Sequence, residues 1–333
     1  MTYKVLVTAS TAAKADVEQA SADGLELDMR GDTLRPDELA EALAGKDAYI
    51  LGGVETIDAA LLKAATDLKV IALLGVGYAG VIDLEAATRL GIAVTNAPGT
   101  TARAVAELTI ALILDTTRRV TALANATKAG GWPSFRAAGL AGATLGVLGM
   151  GTIGARVAEI AHTAFGMDVV YHSRRRKPWI DTRLNARFAT LPDLLRSADV
   201  LSLHAGLTPQ TRGMIGGSAF DLLSDHAVVV NTAEPELIHP LALRAALEQR
   251  RIAAVAMDGY YVEPVPHPAH DPHGLLALPD ARCLVLPRTA AATAEAFASS
   301  LRVNIRSIQN LLTKGTDPNL VNPEFLCAPR WHL

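Results

Sequence analysis

Short apolar runs alternate with amphipathic stretches along most of the chain. Over residues 1–98, Tyr3–Thr8, Leu25–Met29, Ala48–Leu51, Val70–Leu74 and Ala93–Asn96 are short and mostly apolar. Strands buried on both faces have this form. Between them Pro36–Leu43, Ile57–Ala65 and Leu84–Leu90 place apolar residues at helical spacing. Repeated strand–helix units predict a parallel sheet covered on both faces. The breaker cluster Asn96-Ala97-Pro98-Gly99 marks a domain crossing, and a long helix is predicted over roughly Ala102–Ala122. A second series of apolar runs follows at Leu145–Leu148, Asp168–Ser173, Val200–His204, Ala227–Asn231, Ala253–Asp258 and Leu284–Leu286, with a helix at Leu241–Leu247. A last helix, from about Ala292 to Leu312, has room to return to the first domain. The expected fold class is α/β, with residues 1–98 plus 290–333 forming one domain and 99–289 inserted as the other.

Composition narrows the classes of function. A length of 333 residues suits about two domains. A half-hydrophobic chain with net charge −3 reads as a soluble globular protein with no electrostatic reason to bind nucleic acid. Two cysteines, Cys283 and Cys327, make no disulfide framework and fit a reduced, cytoplasmic setting. The opening MTYKVLVTAS reads as a strand, not a signal peptide. No apolar run approaches the ~18 residues of a membrane span, so no membrane partner is expected.

The stretch TLGVLGMGTIGARVAEIAHTAFGMDVVYHSRRRK, from Thr144 to Lys177, reads as strand, tight turn, helix, strand. Gly149 makes the turn, Gly151 lets backbone approach a pyrophosphate, and Gly154 lets helix and strand pack closely. Free N–H groups at the helix start, Thr152 and Ile153 among them, then hold phosphates. The flanking strand, helix and second strand raise this above a bare glycine-rich turn and predict a dinucleotide site. The second strand ends in Ser173-Arg174-Arg175-Arg176-Lys177, with no carboxylate where NAD sites place one for the ribose 2′-OH. Ser173 stands at that position, and Arg174 and Arg175 can fork onto a 2′-phosphate. The expected cofactor is NADP(H); the bland alternative is a solvated basic run.

Five further segments carry a resemblance: NAPGTTARAVAELTIALILDTTRR, SLHAGLTPQTRGMI, VVVNTAEPELIHPLALRAALEQRR, IAAVAMDGYYVEP and VLPRTAAAT. Together with the glycine turn they resemble the D-isomer-specific 2-hydroxyacid dehydrogenase family, in family order, from about Val5 to Leu312. The YHSRRRK ending is most similar to the NADP-preferring glyoxylate and hydroxypyruvate reductases of that family. The resemblance implies a flavodoxin-like substrate domain, a Rossmann-type cofactor domain, a cleft between them, a small-molecule substrate and a homodimer formed largely through the cofactor domains. It also implies three catalytic side chains: an Arg for the substrate carboxylate, a His that donates the proton, and a Glu that orients the His. Here Asn231-Thr232-Ala233 is followed by Glu234 in place of that Arg, and Leu286-Pro287 by Arg288 in place of the His. Glu263 matches the Glu, and Asp258 matches an Asp that contacts the nicotinamide carboxamide. Thr232 and His204 join the cofactor set, although His204, like Asp115, also reads as structural.

These departures change the chemistry. A substrate carboxylate facing Glu234 at ~4 Å meets a repulsion of about 4 kcal/mol at an effective dielectric of 20. Arg288 cannot act as a general acid near neutrality. Arg288 could bind an acidic substrate group while Glu234 or Glu263 supplies a proton, since crowded carboxylates raise one another's pKa. Glu234 could instead hold an amine or imine. A third reading makes the three residues a salt-bridged plug. Tyr260 and Tyr261 are nearby phenols, for proton donation or packing.

The loop Gly75–Gly80 sits at a strand's carboxyl end and is similar to the family's carboxylate-binding loop, with Val76, Gly77 and Tyr78 as substrate candidates. Its GVGYAGVID is one residue longer than the family's pattern and lacks the central Asn or Asp. Arg103 reads as a cleft residue or as a solvated helix-start Arg. Trp132 and Phe135 lie on a loop that in similar glyoxylate reductases reaches the partner subunit's active site; core packing is the alternative. HPAHDPH, with His267, His270, Asp271 and His273, fits no zinc spacing, and no metal is expected.

Overall fold

The structure is a computed structural model that describes residues 2–8, 19–20, 24–31, 33–53, 55–75, 77–78 and 80–327. It divides into two compact units, one of Met1–Thr101 with Thr293–Leu333 and one of Ala102–Ala292.

The first unit holds β1 (Tyr3–Thr8), β2 (Leu25–Arg30), β3 (Ala48–Leu51), β4 (Val70–Leu73) and β5 (Ala93–Thr95). They form a parallel sheet in the order β2-β1-β3-β4-β5, the flavodoxin-like arrangement. Alternate residues of each strand enter opposite cores. Val5, Val7, Ile50 and Val70 pack on one side, and Leu6, Tyr49, Leu51 and Ile71 on the other. That two-sided burial is why the strands read as unbroken apolar runs. The helix Ala294–Lys314 covers the first face with Leu301, Ile305 and Ile308, and Asn304 Nδ2 donates to the Leu73 carbonyl at 2.9 Å.

The second unit carries β6 (Thr144–Leu148), β7 (Asp168–His172), β8 (Arg187–Phe188), β9 (Val200–Leu203), β10 (Val228–Asn231), β11 (Ala254–Asp258) and β12 (Cys283–Leu286). All pair in parallel, in the order β12-β11-β10-β9-β6-β7-β8. This is a Rossmann-type sheet, whose order reverses between β6 and β9, where such sheets bind ligands at the strands' carboxyl ends. Val229, Val255 and Leu201 enter one core, Val228, Val230 and Ala256 the other.

The long helix expected over Ala102–Ala122 is two helices, Ala102–Arg118 and Val120–Lys128. Asp115 is the cause. Its carboxylate accepts from the Thr121 backbone N–H at 2.8 Å and the Thr121 hydroxyl at 2.5 Å, capping the second helix while Arg119 takes a left-handed φ of 55°. The short helices Pro178–Leu184, Leu191–Ser197 and Gly217–Phe220, and the two-residue β8, escaped the apolar pattern because each is too short to show a period. Among the described residues no helix is long and apolar enough to cross a membrane.

Candidate active site and cofactor site

The glycine turn leaves β6 at the reversal point. Gly149 has φ of 100°, and a Cβ there would lie 2.5 Å from the His204 backbone. The turn therefore needs glycine both for its conformation and for the close pass of the β9 end. A Cβ on Gly154 would meet the Gly149 carbonyl at 2.3 Å and Val147 at 3.0 Å, the close helix–strand packing read from the sequence. Gly151 is different, because a Cβ there would project into open space. The protein's own packing does not require glycine at that position, and the open space leaves room for a phosphate to approach the backbone. Gly151 caps the helix Thr152–Phe165 without a side chain, so the first N–H groups, at Thr152 and Ile153, have no side-chain acceptor from the cap. The residues present fit a dinucleotide.

The turn after β7 is built around Tyr171. Its hydroxyl donates to Asp181 Oδ1 at 2.8 Å and accepts the Lys177 N–H at 2.6 Å. Arg176 donates to the other Asp181 oxygen at 2.5 Å, so this guanidinium is committed within the turn. Ser173 donates its hydroxyl proton to the Arg175 carbonyl at 2.6 Å. Arg174 and Arg175 are exposed and form no ion pair among the described residues. His204 is half-buried, with Nε2 2.8 Å from the buried Ser202 hydroxyl, and burial pushes its imidazole down to about 4. It is neutral at pH 7. The Thr232 hydroxyl lies 2.8 Å from that of Thr109.

Three separate segments assemble the charged cluster. Asn231, the last residue of β10, folds an Asx-type turn: its side chain accepts from Ala233 N–H and donates to the Glu234 carbonyl, both at 3.0 Å. After β11, Gly259 has φ of 111°, and a Cβ there would lie 3.2 Å from Glu263 Oε1 and 3.3 Å from Arg288 Cγ. Glu263 is oriented by the Tyr260 N–H, which donates to Oε1 at 2.8 Å. After β12, Arg288 adopts a left-handed φ of 54°. Asp258 fixes the residues that follow it. One oxygen accepts from Thr289 N–H and the other from Ala290 N–H, each at 2.7 Å.

The Arg288 guanidinium then lies between two carboxylates. Nε donates to Glu263 Oε2 at 2.6 Å, and Nη2 to Glu234 Oε2 at 3.3 Å. Burial lowers its pKa, but the hydrogen bonds it donates to Glu263 and Glu234 and the charges of those carboxylates more than offset this and hold it above its ordinary value. The cluster is two carboxylates about one cation, a net charge of −1. Glu234 Oε1 has no partner among the described residues, and the side chain is 43% exposed.

The remaining candidates are placed as follows. Tyr260 donates its phenolic proton to Asp271 at 2.6 Å, and Tyr261 to the Ile238 carbonyl at 3.0 Å. Burial raises both above their ordinary values, and their hydrogen bonds brace the 259–276 segment. Asp271 also accepts from the N–H groups of His273 and Leu276. Among the described residues no three His, Cys, Asp or Glu side chains are grouped to hold a metal. Arg103 pairs with Glu107 at 2.8 Å, one helical turn on. Trp132 is 91% exposed, and the Arg119 guanidinium stands 3.9 Å over the Phe135 ring. In the first unit, Gly77 is exposed and Tyr78 packs half-buried on the apolar cluster; Val76 lies outside the described residues. The sequence reading missed Asn231 and Gly259. Both carry a local signal, an Asx-turn former at a strand's end and a glycine directly after β11.

A sequence profile of the D-isomer specific 2-hydroxyacid dehydrogenase NAD binding domain matches residues 110–287. The chain belongs to this family, whose members are dehydrogenases and reductases that use a nicotinamide cofactor. It is 41% identical over 284 residues to a glyoxylate reductase of Aeropyrum pernix, covering 82% of each chain. It is 33% identical over 299 residues to glyoxylate/hydroxypyruvate reductase B of Klebsiella pneumoniae, covering 87% of this chain and 90% of the relative. The fold superposes on the crystal structure of a glyoxylate reductase from Paecilomyes thermophila with a TM-score of 0.80 at 30% identity, over 96% of this chain and 98% of that one.

Proposed function

We propose that this chain is an NADPH-dependent reductase with a non-standard active site, acting on the C=N or C=O of a small, amine-bearing substrate. The observation that carries the reading is the net −1 cluster of Glu234, Arg288 and Glu263. Gly149, Gly151, Thr152, Ile153 and Gly154 would hold the pyrophosphate, and Ser173, Arg174 and Arg175 the ribose 2′-phosphate. When bound, the nicotinamide supplies the hydride.

The cluster suits a cation. A substrate carboxylate is repelled by Glu234, whereas an ammonium or iminium can donate to its uncommitted Oε1. A protonated C=N already carries the proton that a carbonyl must be given. Hydride addition at its carbon yields the neutral amine, so the site needs no general acid where Arg288 stands. Glu263, held by Tyr260 N–H, keeps Arg288 in place, and Arg288 limits the repulsion between the two carboxylates. The expected result is NADPH oxidation with a cyclic imine such as 1-pyrroline, lost in Glu234→Gln and in Arg288→Ala while NADPH binding by calorimetry persists. Unchanged turnover in both variants contradicts the reading.

A second reading is favoured by the same ion pairs: Arg288 is engaged on both sides, as in a closed plug. It makes the chain an NADP(H)-binding protein without turnover, and product formation with any substrate removes it. Glyoxylate and hydroxypyruvate, named for the relatives, are the controls for residual family activity. We also read the chain as a homodimer. The helix Val120–Lys128 buries no residue, Val120 is 55% exposed and Trp132 follows it, so this arm lacks a covering partner within its own unit. Sedimentation should give about twice the chain mass of 35.0 kDa.

A further inference from the structure

We propose that the cofactor unit carries a second small-molecule site at the amino edge of its sheet, a cavity that takes a carboxylate with an apolar body. The cavity has a volume of about 370 Å³, within the range of roughly 300–1,000 Å³ usual for small-ligand sites. Its floor is Val200, Val228 and Ala254, the first residues of β9, β10 and β11. These parallel strands run from the cavity to the loops that carry His204, Glu234 and Glu263. The cavity and the candidate active site therefore lie at opposite edges of one sheet.

The opening follows from the break at Arg119. Asp115 caps the second helix, Arg119 turns the chain with φ of 55°, and Phe135–Leu140 comes back along the amino edge. The walls are apolar even where the residues are polar. The Thr116 hydroxyl donates to the Leu112 carbonyl at 2.6 Å and the Thr117 hydroxyl to the Ile113 carbonyl at 2.7 Å, so neither proton serves a ligand. The small side chains of Ala137, Ala138 and Ala143 leave the space open.

Charge enters from two guanidinium groups. Arg119 stands 3.9 Å over the half-buried Phe135 ring, and Arg136 follows it in the lining. Neither forms an ion pair among the described residues. The one carboxylate of the lining, Asp199, already accepts from Thr144 N–H at 2.7 Å and lies 3.0 Å from the His226 ring nitrogen. Two guanidinium groups against one carboxylate leave the lining positive. Beside the lining residue Ala281, Arg282 is held below its ordinary pKa by burial and then by the charges of Arg250 and Arg119. A carboxylate that forks onto a guanidinium while its apolar body fills the space answers both features. Inorganic phosphate leaves the apolar walls unmatched, and a neutral apolar molecule leaves the guanidinium groups unpaired.

The test is calorimetry of phenylacetate, its neutral amide phenylacetamide, and acetate against the full chain, with and without saturating nicotinamide cofactor. The proteins are the wild type, Arg119→Gln, Arg136→Gln, the double variant, and Ala138→Phe, which fills the cavity and keeps both guanidinium groups. Phenylacetate should bind the wild type at one site per chain, about tenfold or more tighter than either control. Each Arg→Gln variant should weaken it by about tenfold, as loss of one charge-assisted hydrogen bond does. Ala138→Phe should abolish binding, and cofactor should leave the wild-type affinity unchanged. Phenylacetamide or acetate binding as tightly as phenylacetate overturns the proposal, as does a double variant that binds like the wild type. Displacement of phenylacetate by the cofactor places the ligand at the other edge of the sheet and overturns it too. No binding to the wild type, the result if a second copy of the chain covers this edge, likewise overturns it. Failure of the NADPH reading leaves this proposal standing, because the cavity uses none of that site's residues.

Discussion

The glycine turn after β6 and the charged cluster after β10, β11 and β12 sit at the same edge of one sheet, yet they are built on different principles. The turn works through backbone: positive φ at Gly149, a 2.5 Å approach to His204 and open space at Gly151. Backbone requirements of that kind tolerate few residues, and the turn keeps the G-x-G-x-x-G spacing. The cluster works through side chains delivered by three loops, each with its own support in Asn231, Gly259 or Asp258. Side chains on a fixed frame can be exchanged without disturbing the frame. On the reading proposed above, Arg288 and Glu234 are such exchanges, a guanidinium for an imidazole and a carboxylate for a guanidinium. The frame that presents them remains a Rossmann-type sheet.

The sharpest way to break this comparison is to install, on the same frame, the Arg and His that the resemblance implies. The double variant Glu234→Arg with Arg288→His should raise glyoxylate reduction by about 10²- to 10⁴-fold, the usual contribution of a positioned general acid. Steady-state kinetics with NADPH would measure it, and no gain would mean that the frame itself has changed. On the other side, Gly149→Ala should destabilise the cofactor unit by about 3 kcal/mol or more, combining backbone strain with a clash that cannot relax. Urea unfolding reads the loss, and NADPH binding should vanish with it.

A smaller effect tests the neighbourhood of the turn. His204 has its pKa lowered to about 4 by burial, against 6.5 when free. Below pH 6.5 the unfolded chain takes up a proton that the folded chain refuses, so stability falls as pH drops from 6.5 towards 4. The loss from this group approaches about 3 kcal/mol, and His204→Gln should flatten that part of the profile. The smallest effect concerns thiols. Cys283 is buried and pushed up to about 12, whereas Cys327 is exposed. One thiol of the two should react with a maleimide in the native protein at pH 7.5, and both after unfolding.

What the sequence disclosed follows the same division. The two sheets were legible because each strand is buried on both faces and so is apolar throughout, as in Val228-Val229-Val230. The roles of Gly149 and Gly154 were legible because backbone geometry restricts the residue. The break at Arg119 was not, because it depends on where the Asp115 side chain points within an otherwise helical pattern. The identities of Glu234, Glu263 and Arg288 were readable from the motifs, and their joining by salt bridges was one of three readings that the sequence left open. Only the fold brings residues 234, 263 and 288 within hydrogen-bond distance and commits Asp258 to Thr289 and Ala290. The competition among Arg174, Arg175, Arg176 and Lys177 was likewise hidden, since Asp181 takes Arg176 from a position five residues on.

The central claim is that the altered cluster has turned the site from anionic to cationic substrates. The most direct measurement is the ratio of kcat/KM for 1-pyrroline to that for glyoxylate, with NADPH, for the wild type and for Glu234→Gln. The account predicts a ratio well above one in the wild type that collapses in Glu234→Gln with NADPH affinity unchanged. A wild type that reduces glyoxylate at about 10⁴ M⁻¹s⁻¹ or faster, with 1-pyrroline inert and Glu234→Gln without effect, would contradict it.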